Sequence, residues 1–179
     1  MENEERHKLV EAARRGDAAA LEGLIVAYQP RVAGFIYTFL GESQVIEDLA
    51  QQIFIQMVNG IAKLKEPERF EAWLFRMARN ACISHTRKRR WLGRFVPFQP
   101  HHEAAAPEED DRTEEQALWL RRAVIRLPEA QRELLALMQD ERMSYADLAQ
   151  VTGRTIGSIK TALFRARTQL KEWREHEFQ

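Results

Sequence analysis

The whole chain contains one cysteine, Cys82. That excludes an intramolecular disulfide and a cysteine-built zinc cluster, and it fits a reducing compartment. No apolar run approaches the roughly 18 residues that a membrane-crossing helix needs. The opening MENEERHKLVEAARRGD is charged and does not resemble a signal peptide, so a cytoplasmic protein without membrane insertion is expected. There is no glycine-rich phosphate loop, no Ser/His/Asp or Cys/His arrangement in motif context, and no carboxylate pair in a pocket-like setting. No catalytic residue emerges, and the chain reads as a non-enzyme. His101-His102 lacks a second ligand pair at zinc spacing, so neither a metal nor another cofactor is expected. No segment alternates with the period of a strand, and no internal repeat occurs.

Net charge is also missing, with 27 Lys+Arg against 27 Asp+Glu, but the balance hides a pattern. Residues 1–95 carry 15 basic and 12 acidic side chains, and residues 118–179 carry 11 and 8. Between them residues 96–117 carry 1 and 7, three prolines and an Ala run, with no apolar period. That is the composition of a flexible acidic linker between two basic halves. The charge distribution says more about partners than the total does.

The sequence does offer helical periodicity almost throughout. A helix over 5–27, interrupted at Gly16-Asp17, is followed by an apolar period from Val32 to Leu40, with Pro30 a candidate break. Val45, Leu49, Ile53, Met57 and Ile61 form one stripe of the next helix, and Asp48, Gln51, Gln52 and Ile55 occupy other faces. From Phe70 to about Arg90, Phe70, Leu74, Met77, Ala78 and Ala81 share a side, while Trp73, Arg76, Asn80, Ile83 and Arg87 make a second stripe. Seven basic residues stand against one acid from Glu71 to Arg94, with Trp73 and Trp91 among them. A solvated helix end, its cations favoured by the carboxy-terminal dipole, would look similar. Cations interleaved with aromatics also suit single-stranded nucleic acid, because every base offers a face for stacking. Cys82 sits inside this helix and fits the role of a small buried hydrophobe.

The most informative stretch is SYADLAQVTGRTIGSIKTALFRAR, residues 144–167. Ser144 and Asp147 form a capping-box-like pair, and Gly153 stands where the first helix must stop. Thr155 can cap a second helix, on which Ile159, Leu163, Ala166 and Leu170 recur as one apolar stripe. Gly157, Lys160, Thr161, Phe164 and Thr168 line the opposite side, with Arg165 and Arg167 nearby. Such a helical hairpin is either part of a small bundle or a helix-turn-helix for the DNA major groove. An exposed Phe164 on the polar side favours a face that meets a partner.

Three segments, in order and separated by the linker, resemble the extracytoplasmic-function sigma factors, bacterial transcription initiation factors of the sigma-70 family. VIEDLAQQIFIQMV resembles the polymerase-binding part of sigma region two, and RFEAWLFRMARNACISHTRKRR its promoter-melting helix. LPEAQRELLALMQDERMSYADLAQVTGRTIGSIKTALFRARTQL resembles sigma region four. The resemblance implies an all-α protein of two small helical domains, residues 1–95 and 118–179, on the flexible linker 96–117. It implies that Asp48, Gln51, Gln52 and Ile55 face core RNA polymerase. Trp73, Arg76, Arg79, Asn80, Arg87, Lys88, Arg89 and Arg90 would serve the minus-ten element and its melting, beside a pocket loop over 63–70. Thr155, Ser158, Lys160, Thr161, Phe164, Arg165 and Arg167 would meet the minus-thirty-five element. Core polymerase, promoter DNA and an anti-sigma factor are the implied partners. The chain departs from the family pattern at Gln52, where an acid is usual, and at Arg142, where a glycine is common. It departs again at Arg154, where an aliphatic is common, and at Ala162, a frequent arginine. A stand-alone helix-turn-helix regulator remains the alternative, and a helical scaffold that binds only protein is a further one.

Overall fold

The structure is a computed structural model and describes residues 3–92, 111–139 and 143–177. Among them are eight α-helices and no strand. The helices are α1 (Asn3–Arg14), α2 (Ala18–Leu40), α3 (Ile46–Gly60), α4 (Phe70–Leu92), α5 (Asp111–Arg126), α6 (Glu129–Met138), α7 (Tyr145–Thr152) and α8 (Ile156–Glu177). Two 3-10 turns, Ile61–Lys63 and Pro67–Arg69, bridge α3 and α4.

Helix ends follow local chemistry. The Asp17 carboxylate accepts from the Ala20 amide at 3.1 Å and starts α2. Gly41 ends it with φ 73°, a left-handed conformation that glycine adopts without strain. Pro30, a candidate break in the sequence, lies inside α2, which runs on through it. The carbonyl it leaves unbonded belongs to Val26, and both residues lie on the exposed side, where water can take the bond.

The first four helices enclose an aromatic core. Tyr28 meets Phe70 edge-on with centroids 5.2 Å apart, and Phe35 meets Phe75 likewise at 5.8 Å. On α4 the buried apolar side chains are Phe70, Ala72, Leu74, Phe75, Ala78 and Cys82, while Met77 and Ala81 are only half-buried. Burial pushes the Cys82 thiol up to about 12, so it is an inert hydrophobe. Glu71 is buried as well: Tyr28 Oη donates to Oε1 at 2.7 Å and Arg31 Nη1 at 2.6 Å, with Arg6 Nη1 at 3.1 Å. This cluster ties α1, α2 and α4 together. Burial pushes the Glu71 carboxyl up, but the hydrogen bonds from Arg31 and Tyr28 outweigh it and hold the group below its ordinary value.

The last four helices make a second unit. Ser144 and Asp147 form the full capping box, with Asp147 N donating to Ser144 Oγ at 3.2 Å and Ser144 N to Asp147 Oδ2 at 2.9 Å. Gly153 has φ 71° and closes α7. Ile159, Leu163 and Ala166 are buried and Leu170 half-buried, as their spacing predicts. Helix α5 begins at Asp111, seven residues before the expected Leu118, so the carboxy-terminal end of the linker segment is helical. The rest of that segment, with His101 and His102, lies outside the described residues.

The two units lie against each other. Helices α5 and α6 rest on α2, and α7 rests on α4. One apolar core runs through both, from Val10 to Leu163. Gln139 Nε2 donates to Thr38 Oγ1 at 2.7 Å across the seam. At Gly41 an added Cβ would come within 2.7 Å of Ile125 Cδ1, so α5 seats directly on the backbone there.

Candidate nucleic-acid and polymerase interfaces

Three surfaces hold the residues singled out from the sequence. The first is the amino-terminal half of α8. Its back is fixed by Ile159, Leu163 and Ala166, so the front must face solvent. Thr155, Ser158, Lys160, Thr161, Phe164, Arg165 and Arg167 are all exposed, Phe164 by 71%. Thr155 Oγ1 accepts from the Ser158 amide at 3.3 Å and holds the first turn. Lys160 Nζ stands 5.4 Å from the centroid of the Tyr145 ring, which orients the ammonium group over α7. An apolar ring ringed by cations and small side chains fits thymine methyls and phosphates in a major groove.

The second surface is α4. Arg76, Asn80, Arg87 and Lys88 are exposed, and Trp91 is 66% exposed beyond them. The other four expected residues are engaged. Trp73 is half-buried: its ring is tilted against Phe70 with centroids 6.1 Å apart, and a Cβ on Gly60 would lie 3.0 Å from its Cζ2. It is therefore wedged between α3 and α4 and is not the free stacking platform expected. Arg79 is ion-paired with Glu133 and Arg89 with Glu42, and Arg90 Nη2 lies 2.6 Å from Glu129 Oε2. His85, beside Glu42 at 3.6 Å, is held below its ordinary value by burial and then by Lys88.

The third surface is a groove between α2 and α3. Of the four residues expected to face polymerase, Gln51 and Ile55 line it, Ile55 being 53% exposed, while Asp48 and Gln52 are exposed on α3 outside its walls. The walls also include Ile25, Ala33, Ile46, Ala50, Phe54 and Val58, and Val26 stands exposed on the same α2 helix. Val58, apolar like the core stripe, faces the groove instead. The signal was its position, one turn beyond Phe54 and next to polar Asn59. An apolar trough edged by Gln29, Glu47 and Gln51 has the mixed composition of a protein-docking surface. Among the described residues no group of three or more His, Cys, Asp or Glu is placed to hold a metal, and no helix is long and apolar enough to cross a membrane.

Comparison with known proteins accounts for this arrangement. The Sigma-70 region 2 profile matches residues 24–92, and the Sigma-70 region 4 profile matches residues 117–170. The RNA polymerase sigma-H factor of Pseudomonas aeruginosa is 30% identical over 178 residues, covering 92% of this chain and 91% of that one. The ECF RNA polymerase sigma factor SigW of Bacillus subtilis is 23% identical, covering 92% and 94%. Among solved structures, the sigma factor RpoE of Bartonella quintana, crystallised with the anti-sigma factor NepR, superposes with a TM-score of 0.73 at 25% identity, covering 84% of this chain and 94% of that one. CnrH, solved with the cytosolic domain of CnrY, shares the fold with a TM-score of 0.71 at 21% identity, covering 96% and 97%.

Proposed function

The chain belongs to the sigma-70 family of RNA polymerase sigma factors, in its extracytoplasmic-function group, and on that premise we propose how its surfaces divide the work of promoter recognition and opening. It binds core polymerase and promoter DNA and carries no chemistry of its own. The α2–α3 groove, lined by Gln51 and Ile55, takes the polymerase, with Asp48 and Gln52 exposed beside it on α3. Residues 1–95 form the unit that reads and opens the minus-ten element. Asn80 accepts an extruded base beside Trp73, whose wedged ring forms the floor of the pocket. Extrusion costs a few kcal/mol, so a fitted pocket selects bases as well as holding them. Arg76, Arg87 and Lys88 hold the strand backbone. Residues 118–179 read the minus-thirty-five element through Lys160, Thr161, Phe164 and Arg165. An anti-sigma protein is the regulator, by analogy with the Bartonella quintana complex, and the cytoplasm is where this factor works.

The observation that carries the reading is the coexistence of an exposed apolar trough on α2–α3 with the exposed Phe164 face of α8. A DNA-binding regulator acting without polymerase leaves the trough unemployed. In vitro transcription with core polymerase over a genomic fragment library tests it. Discrete start sites that depend on the chain are expected; none at any fragment refutes the reading.

A further inference from the structure

Helix α1 lies ahead of the Sigma-70 region 2 profile, which begins at residue 24. It is nevertheless part of the core: Val10 is fully buried and Ala13 nearly so. Besides α2, it rests on the connection from α3 to α4, touching both 3-10 turns, Ile61–Lys63 and Pro67–Arg69.

That connection has little support of its own. Its buried residues recur at every third position, Ile61, Leu64, Pro67 and Phe70, and the residues between them are all exposed. Three residues per turn puts side chains three apart on one edge, so the ribbon has an inward edge and no second layer. Two polar contacts from α1 then fix its far end. Arg6 Nη1 lies 3.1 Å from Glu71 Oε1 in the first turn of α4, and neither side chain is more than 16% exposed. His7 Nδ1 lies 3.3 Å from Glu68 Oε1 in the second 3-10 turn. The first pair is shielded and the second open to solvent, so Arg6 is the firmer anchor. The near end is held by packing on the first turn, immediately after Gly60, the residue that seats the Trp73 ring. The remaining acid of the connection, Glu66, is taken up by Arg69 at 2.5 Å. Both of its 3-10 turns and the seat of Trp73 thus trace back to one helix.

We propose that α1 braces the minus-ten pocket, with Arg6 and His7 as positioning residues that set how strictly the extruded base is discriminated. This rests on the reading of residues 63–70 and Trp73 as walls of that pocket. A pocket rejects the wrong base only if its walls hold their place when that base enters. A connection free to shift would yield to any of the four. Anchored at both ends by α1, the walls stand in position before the strand arrives, and the supporting residues need not touch DNA to control selectivity.

The test uses the full chain with core polymerase on four promoters that differ only in the extruded base. Permanganate reactivity of the neighbouring melted thymines reports opening. Reading one base correctly is worth roughly 5- to 150-fold. Arg6→Met keeps the apolar stem and removes the charge, while His7→Ala removes the weaker anchor. Discrimination is expected to fall at least about fivefold in Arg6→Met and about twofold in His7→Ala, because the disfavoured bases gain, with opening at the preferred base changed by less than about twofold. Arg6→Lys, which returns a cation to Glu71, is expected to recover most of the loss. Phe39→Leu perturbs the core near the far end of α2 and is expected to keep wild-type discrimination at a lowered Tm. Wild-type discrimination in folded Arg6→Met overturns the inference and leaves the pocket standing. An equal loss in Phe39→Leu also overturns it, since selectivity would then follow stability alone. A wild-type factor that opens all four promoters equally removes the pocket and the brace together. Should Arg6→Met fail to fold, His7→Ala decides, its side chain being 46% exposed.

Discussion

Replacing Glu71 by Gln keeps the volume of the side chain and removes its charge, which isolates what the buried carboxylate contributes. In the wild type it accepts from Tyr28 and Arg31 and faces Arg6, and none of the three charged side chains is more than 16% exposed. Solvent therefore screens the cluster weakly. Removing one partner of such a cluster leaves two guanidinium groups facing each other across a desolvated site, a change that costs about 3–5 kcal/mol. Hydrogen bonding to the amide oxygen recovers part of that, since a neutral acceptor is worth about half a charged one. A loss of about 3 kcal/mol is expected at pH 7, or about 6–12 °C in Tm for a chain of this length. Urea unfolding followed by tryptophan fluorescence is the assay, because Trp73 lies two positions along α4 and packs against Phe70. The sign with pH is fixed by the lowered folded pKa of Glu71. Its contribution is complete above the unfolded carboxyl value and fades as pH falls through the folded one. The gap between wild type and Glu71→Gln should thus close in acid below about pH 4. A variant within about 0.5 kcal/mol of wild type at pH 7, or a gap that does not change down to pH 3, refutes the account of how α1, α2 and α4 are joined.

Arg165→Ala should weaken binding at the cognate minus-thirty-five element by about 1–3 kcal/mol if the guanidinium reaches a base edge, and an equal loss on all sequences in a competition assay would mark a phosphate contact instead. Asn80→Ala should leave initial promoter binding near wild type and impair opening, so permanganate reactivity of the melted strand should fall; unchanged reactivity removes the role. Ile55→Glu places a charge in the α2–α3 trough at a side chain 53% exposed, so Tm should move little while co-purification with core polymerase is lost. Retained co-purification would show that the polymerase sits elsewhere.

The parts of the molecule that could be read in advance are those made by neighbours along the chain. The Ser144–Asp147 box, the Gly153 stop and the Ile159/Leu163/Ala166 stripe each need no more than about two helical turns of sequence, and each appears as read. The start of α5 was missed because Asp111-Arg112-Thr113-Glu114-Glu115 is helical without any apolar residue to mark a period. Trp73 was misjudged because a helical wheel cannot see Gly60, whose missing side chain makes room for the ring. The contact between the units was invisible for a related reason. Glu133 meets Arg79 at a separation of 54 residues and Gln139 meets Thr38 at 101, and nothing in the local pattern announces either. A glutamate in the middle of an apolar helix was the one available hint. Burial of Glu133 beside Leu134, Ala136 and Leu137 shows that it should have been read as a charge awaiting a partner.

Gly41 joins two demands at one position: a backbone turn that other residues resist, and a bare Cα on which Ile125 rests. A methyl group placed there would strain that turn and press on the Ile125 side chain, loosening the seat of α5 while no ionised group was added or removed. Mobility gained by that route and mobility gained by neutralising Glu129 and Glu133 of α6 should then be distinguishable by their response to ionic strength, the first indifferent to it and the second not. The glycine thus offers an uncharged handle on a seam held by apolar packing as well as by ion pairs.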